Sequence, residues 1–304
     1  MEGNKNPLIC DPTTGVCEMP GTQPAQRGDI QSSEAKPLTI TYFTDPICSS
    51  CWGIEPELRK LKLEYGNYIK FNYHMGGLLP DWSYNSGGIS KPSDVAHHWD
   101  EVSRHYNMPI IGDVWLEDPL PSSYPPSIAF KAAQLQDEQK AIVFLRTSRE
   151  LLFLQKKNIT RWEHLSDAAV AAGLDPARLK ADYEQTAEAL FQKDLELARS
   201  MGVRGFPSIF ISDKSGQIEF VYGVKPYEVY TKAIGKLFPE AAKVSYDKSW
   251  EALFGVFPTL TTREFAELSE TSIAQAEAAL EQLKQAGRLM QFHTRNGDLW
   301  QKLK

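Results

Sequence analysis

Two cysteines separated by two residues, Cys48 and Cys51, constrain this chain more than any other feature of its 304-residue sequence. They follow segment 38–43, LTITYF, whose β-branched and aromatic residues predict a buried strand. Apolar residues then recur at helical spacing over 54–65, and the glycine after them is typical of a helix end. The sequence therefore predicts a strand, a turn, and a helix that begins at the first cysteine.

The rest of the chain predicts a mixed α/β fold in which one sheet is assembled from two distant parts. Segment 69–74 predicts a strand, and its parallel pairing with 38–43 needs the intervening helix as a crossover. Segment 93–199 is mainly helical, whereas 208–211 and 218–222 predict a β-hairpin that a helix follows. This order of elements is that of a thioredoxin-type sheet with an all-helical insertion.

The same patterns predict how the chain divides. Residues 245–304 contain a helix with a predicted capping box and a hairpin that turns at an Asn-Gly pair, an arrangement that is winged-helix-like. The predicted parts are an irregular N-terminal arm over 1–36, a thioredoxin-like domain over 37–92 and 187–240, a helical insertion over 93–186, and a C-terminal helix-helix-hairpin module over 245–304.

Charge and hydropathy exclude several classes of partner. The net charge is −6, so no global basic field would attract nucleic acid or anionic lipid. No run of 18 apolar residues predicts a membrane span, and the first 20 residues lack the apolar core of a secretory signal. We therefore expect a cytoplasmic protein that binds neither nucleic acid nor membrane. In a reducing compartment, cysteines close in sequence are more often catalytic or metal-binding than structural.

From the residues alone, three interpretations of the cysteine pair are open. The pair is a redox couple, or it is half of a zinc site, or it consists of two inert buried thiols. The zinc interpretation requires Cys10 and Cys17 as the other two ligands, although their spacing exceeds the two to four residues that are usual between zinc-binding cysteines. Cysteines beside a turn and a helix start are poorly placed for inert burial.

The redox interpretation has a physical basis in the predicted helix start. Unpaired N–H groups and the helix dipole favour an anion there, and cysteine pairs of this spacing have thiol pKa values of roughly 3.5–7.5 instead of ~8.5. We therefore expect Cys48 to be an exposed thiolate that attacks a disulfide. Cys51 is expected to be the more buried thiol, which resolves the mixed disulfide.

A second motif supports the redox interpretation. Gly205, Phe206 and Pro207 stand immediately before the predicted strand at 208–211. Proline is disfavoured inside a sheet but fits the first position of a strand. A Gly-x-Pro motif alone is weak evidence, but after a strand that leads into a cysteine pair it favours the redox couple over the other two interpretations.

Taken together, these motifs resemble the DsbA-like thioredoxin family. The resemblance is greatest to its cytoplasmic branch of predicted protein-disulfide isomerases, near the FrnE-like and the Spx-adaptor proteins. It covers about 38–238 and does not extend to 245–304. The matching motifs are DPICSSCWG at 45–53, GGL at 76–78 and GVRGFP at 202–207.

Several site residues follow from this resemblance. It implies that Cys48 is the nucleophile, that Cys51 resolves, and that Pro207 is cis and faces the pair. It also implies that Phe206 offers backbone groups to an extended substrate peptide. The dipeptide between the cysteines is Ser-Ser and lacks the histidine of strongly oxidising members, so a milder or more reducing potential is expected.

The remaining candidate residues are more loosely placed. Gly205 and Trp52 are predicted to bind substrate beside Phe206, with Trp52 packing at the rim of the site next to Cys51. Cys10 and Cys17 flank a turn-prone loop and form a candidate second redox pair, the alternative being two free thiols on a mobile arm.

The predicted function is that of a thiol-disulfide oxidoreductase or disulfide isomerase acting on protein or peptide thiols and disulfides. No metal is predicted and no organic cofactor is needed, because a thiol pool supplies the electrons. The alternative is a redox-sensing binding adaptor on the same fold, which presents a client protein to a protease.

Overall fold

The computed structural model describes residues 36–83 and 91–303, together with the backbone of residues 10–11 and 16–17. In the arm that was predicted to be irregular, β1 (Cys10–Asp11) and β2 (Val16–Cys17) pair antiparallel, with Cys10 opposite Cys17. The side chains of these two cysteines lie outside the described part of the chain, so the predicted second redox pair stays a prediction.

The central sheet has four strands in the order β4-β3-β5-β6. β3 (Leu38–Thr44) runs parallel to β4 (Ile69–Met75) and antiparallel to β5 (Ser208–Asp213), which pairs in turn with β6 (Ile218–Tyr222). The crossover between the parallel strands consists of two helices, α1 (Ser49–Gly53) and α2 (Glu55–Tyr65). The predicted thioredoxin-type sheet, assembled from two distant parts of the chain, is thus confirmed.

The insertion between β4 and β5 is helical, as expected. Asp175 caps one of its helices by accepting hydrogen bonds from the N–H groups of Ala177 and Arg178. The helices between β4 and β5 are α3 (Pro92–Tyr106), α4 (Val114–Glu117), α5 (Tyr124–Gln136), α6 (Glu138–Phe153), α7 (Trp162–Ala171), α8 (Pro176–Gln185) and α9 (Ala187–Ser200). Of these, α9 lies in the segment 187–240 that was predicted to belong to the thioredoxin-like domain.

The two faces of the central sheet differ in how they are covered. On the inner face, Ile40 and Tyr42 of β3 and Ile211 of β5 are fully buried in a core that also includes residues of α2 and of α10 (Tyr227–Leu237). On the outer face, Phe210 stacks on Phe220 with 4.5 Å between ring centroids, and Phe220 is 52% exposed. The outer face is therefore open at β6, the edge strand.

The C-terminal segment forms a compact module with its own core around Trp300, which is fully buried. The predicted helix with its capping box and the predicted hairpin at Asn296-Gly297 are present, but the sequence analysis missed the first helix and first strand. The elements are α11 (Trp250–Val256), β7 (Thr259–Thr261), α12 (Thr262–Ser269), α13 (Ile273–Gln285), β8 (Leu289–Thr294) and β9 (Gly297–Lys302), with the strand order β7-β9-β8.

This module is attached to the rest of the chain by buried ions. Glu264 of α12 is fully buried and accepts two hydrogen bonds from the Arg146 guanidinium of α6, at 2.7 and 3.0 Å. Arg59 of α2 lies 3.3 Å from the same carboxylate. Arg263, beside Glu264, donates to the carbonyl oxygen of Gly53 at 2.9 Å. The module therefore contacts the helix that carries the cysteine pair.

Candidate redox site

The cysteine pair lies where β3 gives way to α1. Cys48 is the N-cap of α1, and its sulfur accepts a hydrogen bond from the Cys51 N–H at 3.1 Å. Both cysteines are free thiols in this structure. The spacing puts both residues in the first turn of one helix, as the sequence predicted, because a residue three positions on lies on the same helix face.

The expected order of burial is confirmed, but the expected exposure of Cys48 is wrong. Cys48 is 4% exposed and Cys51 is 0% exposed. Cys48 nevertheless lines a cavity of about 790 Å³, which Cys51 does not reach. The low exposure arises because α1 is packed beneath the insertion: the Ser50 hydroxyl lies 2.9 Å from the Tyr106 hydroxyl of α3.

Two residues of the predicted partner segment line the same cavity. Gly205 and Phe206 line it together with Cys48, and the Phe206–Pro207 peptide bond is cis. Gly76 makes room for the Phe206 ring, because a Cβ atom at this glycine would lie 2.0 Å from two ring carbons. The structure therefore brings Cys48, Gly205 and Phe206 together around one space.

Trp52 does not take its predicted place at the rim. It is fully buried, its indole N–H donates to the Pro109 carbonyl at 3.1 Å, and its ring lies 5.6 Å from that of Phe153. The Arg146 guanidinium lies 4.2 Å above the indole ring. The prediction that Trp52 contacts substrate is therefore wrong. Its position in the first turn of a buried helix turns it inward, to the core beneath the site.

Asp45, in the turn before Cys48, connects the site to the insertion. It is fully buried, and its carboxylate accepts hydrogen bonds from the Leu78 N–H at 2.7 Å and the Ser123 hydroxyl at 2.8 Å. Burial raises the pKa of Asp45 to about 6, although these hydrogen bonds oppose the rise. Ser123 precedes α5, so this carboxylate fixes the cysteine turn against the start of that helix.

A buried cation lies beneath the pair. Arg149 of α6 is 1% exposed and donates to the Thr44 hydroxyl at 2.6 Å, to the Asp45 carbonyl at 3.1 Å and to the Glu55 carboxylate at 2.8 Å. Within the described part of the chain, its Nε–H has no hydrogen-bond partner. A positive charge thus supports the turn and the helix start on either side of Cys48.

The electrostatics of the two thiols differ from the sequence-based expectation. Burial raises the pKa of Cys48, and hydrogen bonding to Cys51 raises it further. Burial alone would also raise the pKa of Cys51, but hydrogen bonding to Cys48, the Arg149 charge, and the Thr44 and Tyr42 hydroxyls lower it. The five-residue helix α1 has only a small dipole, so desolvation outweighs it at Cys48.

Sequence reasoning missed most of the cavity wall. Three tryptophans border this cavity, and Arg199 and Arg204 are exposed at its edge. Aromatic residues scattered over 82–222 give no local signal of a shared wall, because only the fold brings them together. The aromatic lining consists of Trp82, Trp99, Trp115, Tyr124, Phe206 and Tyr222.

Two other findings bear on function. Within 36–83 and 91–303, no group of three or more His, Cys, Asp or Glu side chains is arranged to hold a metal ion. The zinc interpretation depends on Cys10 and Cys17, whose side chains lie outside the described residues. No helix in the described part of the chain is long and apolar enough to span a membrane.

Comparison with known proteins identifies the family. The model of a family described as thioredoxin matches residues 42–232. A protein of Halalkalibacterium halodurans described as ClpXP adapter protein SpxH is 32% identical over 309 residues, which cover 100% of both chains. A Bacillus subtilis protein with the same description is 30% identical over 273 residues, covering 88% of this chain and 90% of that protein.

A solved structure agrees on the fold. A protein of Streptomyces coelicolor described as a probable DsbA oxidoreductase superposes with a TM-score of 0.53, covering 69% of this chain and 94% of that chain. The two sequences are 15% identical, so this likeness concerns the fold. The DsbA-like architecture that the motifs suggested is thereby confirmed.

Proposed function

Because the chain belongs to the thioredoxin family and, within it, to the family of the ClpXP adapter proteins SpxH, we propose that it is a redox-responsive adapter. It would bind a client protein and present it to the protease ClpXP in the cytoplasm. The observation that carries this proposal is the match with a relative of that description over the whole chain. That match includes the C-terminal module, which the thioredoxin family model does not reach.

The exposed edge of the central sheet supports a client-binding role. Ile218, Phe220 and Tyr222, here called the outer strip, alternate along β6 and are 55%, 52% and 49% exposed. β6 is an edge strand, so one side of its backbone is open to pairing. Exposed apolar edge strands are uncommon because they recruit other strands, and peptide-binding domains use such edges to add a strand from a partner.

The outer strip is continuous with the cysteine cavity. Tyr222 belongs to both, and its hydroxyl lies so close to Gly205 that a Cβ atom there would be 2.5 Å from it. A client strand paired to β6 would therefore place its neighbouring residues near Cys48. This continuity is what would make client binding responsive to the state of the cysteine pair.

Reconstituted degradation tests the adapter proposal. Purified ClpXP would be incubated with Spx, the client for which the Spx-adaptor family is named, with and without the chain. We expect the chain to accelerate loss of the client, and Phe220→Ser to abolish the acceleration. Cys48→Ser/Cys51→Ser should retain it under reducing conditions. Equal client loss with and without the wild-type chain would contradict the proposal.

Catalysis of thiol-disulfide exchange is the second candidate function, and the geometry of the pair favours it. Cys48 adjoins the cavity while Cys51 lies behind it. In the reaction, the Cys48 sulfur attacks a substrate disulfide as its proton moves to Cys51, and one half of the substrate leaves as a thiolate. Cys51 then gives that proton to the released substrate thiolate and attacks the Cys48 sulfur. The Cys48–substrate bond breaks, the other half of the substrate leaves as a thiolate, and a Cys48–Cys51 disulfide remains.

An insulin-reduction assay separates this candidate from the adapter. If the chain is a catalyst, it should accelerate dithiothreitol-driven reduction of insulin, and Cys48→Ser should remove the acceleration. Phe220→Ser should leave it largely intact, because this side chain does not line the cavity. A chain that supports client degradation but shows no insulin reduction would be an adapter whose cysteine pair senses redox state without catalysing exchange.

A further inference from the structure

The central sheet has a second edge at β4, and the backbone of this edge is not fully paired. In a parallel pair, alternate residues of a strand turn their N–H and C=O groups to the neighbouring strand. Gly76 donates its N–H to the Thr44 carbonyl at 2.8 Å. At the other end, the Tyr68 carbonyl accepts the Leu38 N–H at 3.0 Å. The even-numbered residues along β4 therefore face β3, and the odd-numbered ones turn their backbone groups outward.

Side chains close the two ends of this edge and leave its middle open. The Asp194 carboxylate of α9 accepts the outward Met75 N–H at 2.9 Å. The Lys36 ammonium donates to the outward Ile69 carbonyl at 3.4 Å. Between these two ends, the outward N–H and C=O groups at 71 and 73 have no hydrogen-bond partner among the residues that the structure describes. Such unpaired backbone groups are what a further strand would bind.

A groove of about 430 Å³, here called the β4 groove, borders this open stretch. It is lined by residues 70–74 and by side chains of α5, α6 and α9. Successive side chains of a strand point to opposite faces of the sheet. Lys70, Asn72 and His74 therefore lie on one face, and Phe71 and Tyr73 lie on the other. A strand in the groove would meet polar side chains on one face and aromatic rings on the other.

The charges of the β4 groove favour an acidic occupant. Asp194 already has a partner in Lys131, at 2.9 Å. Lys70 and Lys193 are exposed, and neither has an ion pair within the described part of the chain. The other acid at the groove is the exposed Glu138, which opposes them. Lysines on an edge strand discourage pairing with apolar strands, and the same charges would favour a strand that carries acids.

We propose that the β4 groove is a docking site for an extended protein segment in which acidic and apolar residues alternate. The segment would pair with the open backbone of β4, as partners do at other exposed sheet edges. Its acidic side chains would lie beside Lys70 and Lys193, and its apolar side chains beside Phe71. The sheet order places β4 and β6 at opposite edges. The inference therefore goes beyond the client surface at the outer strip, and the two sites can be occupied at the same time.

Fluorescence anisotropy with a labelled peptide of sequence Glu-Val-Glu-Val-Glu tests the inference on the full chain. We expect saturable binding of this peptide and none of its Lys-Val-Lys-Val-Lys counterpart. Lys70→Gln/Lys193→Gln should raise the Kd by about tenfold, because one exposed ion pair contributes up to about fivefold. Lys214→Gln/Lys225→Gln removes two exposed lysines that do not line the groove, and should leave the Kd unchanged.

Methylation of the peptide backbone separates strand pairing from charge attraction. In a paired strand, only alternate residues turn their N–H groups to the neighbour. Of two peptides, one N-methylated at both valines and the other at the last two glutamates, we expect one to lose binding and the other to keep it. Hydrogen–deuterium exchange gives the matching readout on the protein. The Phe71 and Tyr73 amides should exchange about tenfold more slowly at a peptide concentration of ten times the Kd.

Four results would overturn the inference. The acidic peptide does not bind, or the two methylated peptides bind with equal affinity. The Phe71 and Tyr73 amides are already protected without peptide, which would mean that another part of the chain or a second copy covers the edge. Phe220→Ser weakens peptide binding, which would place the peptide on the outer strip. None of these results decides the adapter proposal, because the degradation assay tests that proposal without the peptide.

Discussion

The two sides of helix α1 differ in chemistry. Toward the cavity, α1 presents Cys48 to a wall of aromatic rings that continues into the exposed outer strip of β6. Away from the cavity, it is held by charged groups, among them Arg146 over the Trp52 ring and Arg263 at the Gly53 carbonyl. The cavity side has room for a partner, whereas the other side is packed with side chains whose charges and hydrogen bonds already have partners.

The difference shows how the start of a helix can be accessible to a partner on one side while ion pairs on the other side hold the helix in place. Apolar contacts tolerate many partners of suitable shape, but a buried ion pair forms only when both ions are brought to one geometry. Ions from α6, α2 and the C-terminal module converge behind α1, and we infer that they set its orientation. The predicted domain boundaries therefore remain a proposal about sequence segments, since the support behind the site comes from several of them.

The largest effect is expected from removing the acid at the centre of the charged side. Glu264→Gln would leave Arg146 and Arg59 without their shared carboxylate in a fully buried place. We expect the free energy of unfolding in urea to fall by about 3–5 kcal/mol. Glu281→Gln, which removes the acid of a solvent-exposed ion pair with Lys284 in the same module, should cost at most about 1 kcal/mol. Similar losses of unfolding free energy in both variants would show that the buried carboxylate stabilises the protein no more than an exposed one.

A smaller, pH-dependent effect is expected from the carboxyls that flank α1. Burial raises the pKa of Glu57 to about 7, despite its ion pair with Arg263, and that of Asp45 to about 6. A carboxyl whose pKa is raised by folding contributes stability below its unfolded pKa, and this contribution is lost as pH rises through the folded pKa. The free energy of unfolding should therefore fall between about pH 5 and about pH 8.

Substitution of one of these acids sharpens that prediction. Glu57→Gln should remove the contribution of Glu57 to the fall of the free energy of unfolding with pH, which is at most about 1.4 kcal/mol per pH unit. The contribution of Asp45 should remain. Urea unfolding at several pH values measures it. The exposed Glu251→Gln should leave the slope as it is, and a Glu57→Gln protein with the wild-type slope would show that Glu57 is ionised throughout.

The smallest effect on stability is expected on the open side. Phe220→Ser removes an exposed ring of the outer strip and should change the free energy of unfolding by about 0.5 kcal/mol or less. Val221→Ser, one residue on and 4% exposed on the opposite face, should cost about 1–3 kcal/mol. Thermal unfolding of both variants measures this. A large loss in Phe220→Ser would mean that the outer strip serves folding and not partner binding.

Much of the fold was predictable because its signals are local. The strand–cysteine–helix segment, the hairpin at 208–222 and the capping box at Ser272 follow from periodicity and turn chemistry within a few residues. In the C-terminal module, α11 and β7 were missed because they span seven and three residues, too few for a period to show.

The buried ion pairs behind the cysteine site were not predictable, since they join residues that are far apart in the sequence. Arg146 and Arg149 look like the solvated face of a helix, and their partners Glu264 and Glu55 lie 118 and 94 positions away. Trp52 shows the same limit, because its neighbours in sequence suggest a rim residue while the packing of α1 turns it inward. A local sequence pattern determines which helix or strand forms, but not which residues pack around it.

The hydrogen bond from Arg263 to the Gly53 carbonyl has a practical consequence. Carbonyls at the end of a helix need an outside donor, and here part of that role falls to a residue in the last quarter of the chain. An excised thioredoxin segment that stopped after α10 would lose this donor and leave the Glu57 carboxylate without Arg263. Activity lost on such truncation would therefore say nothing about where a client binds.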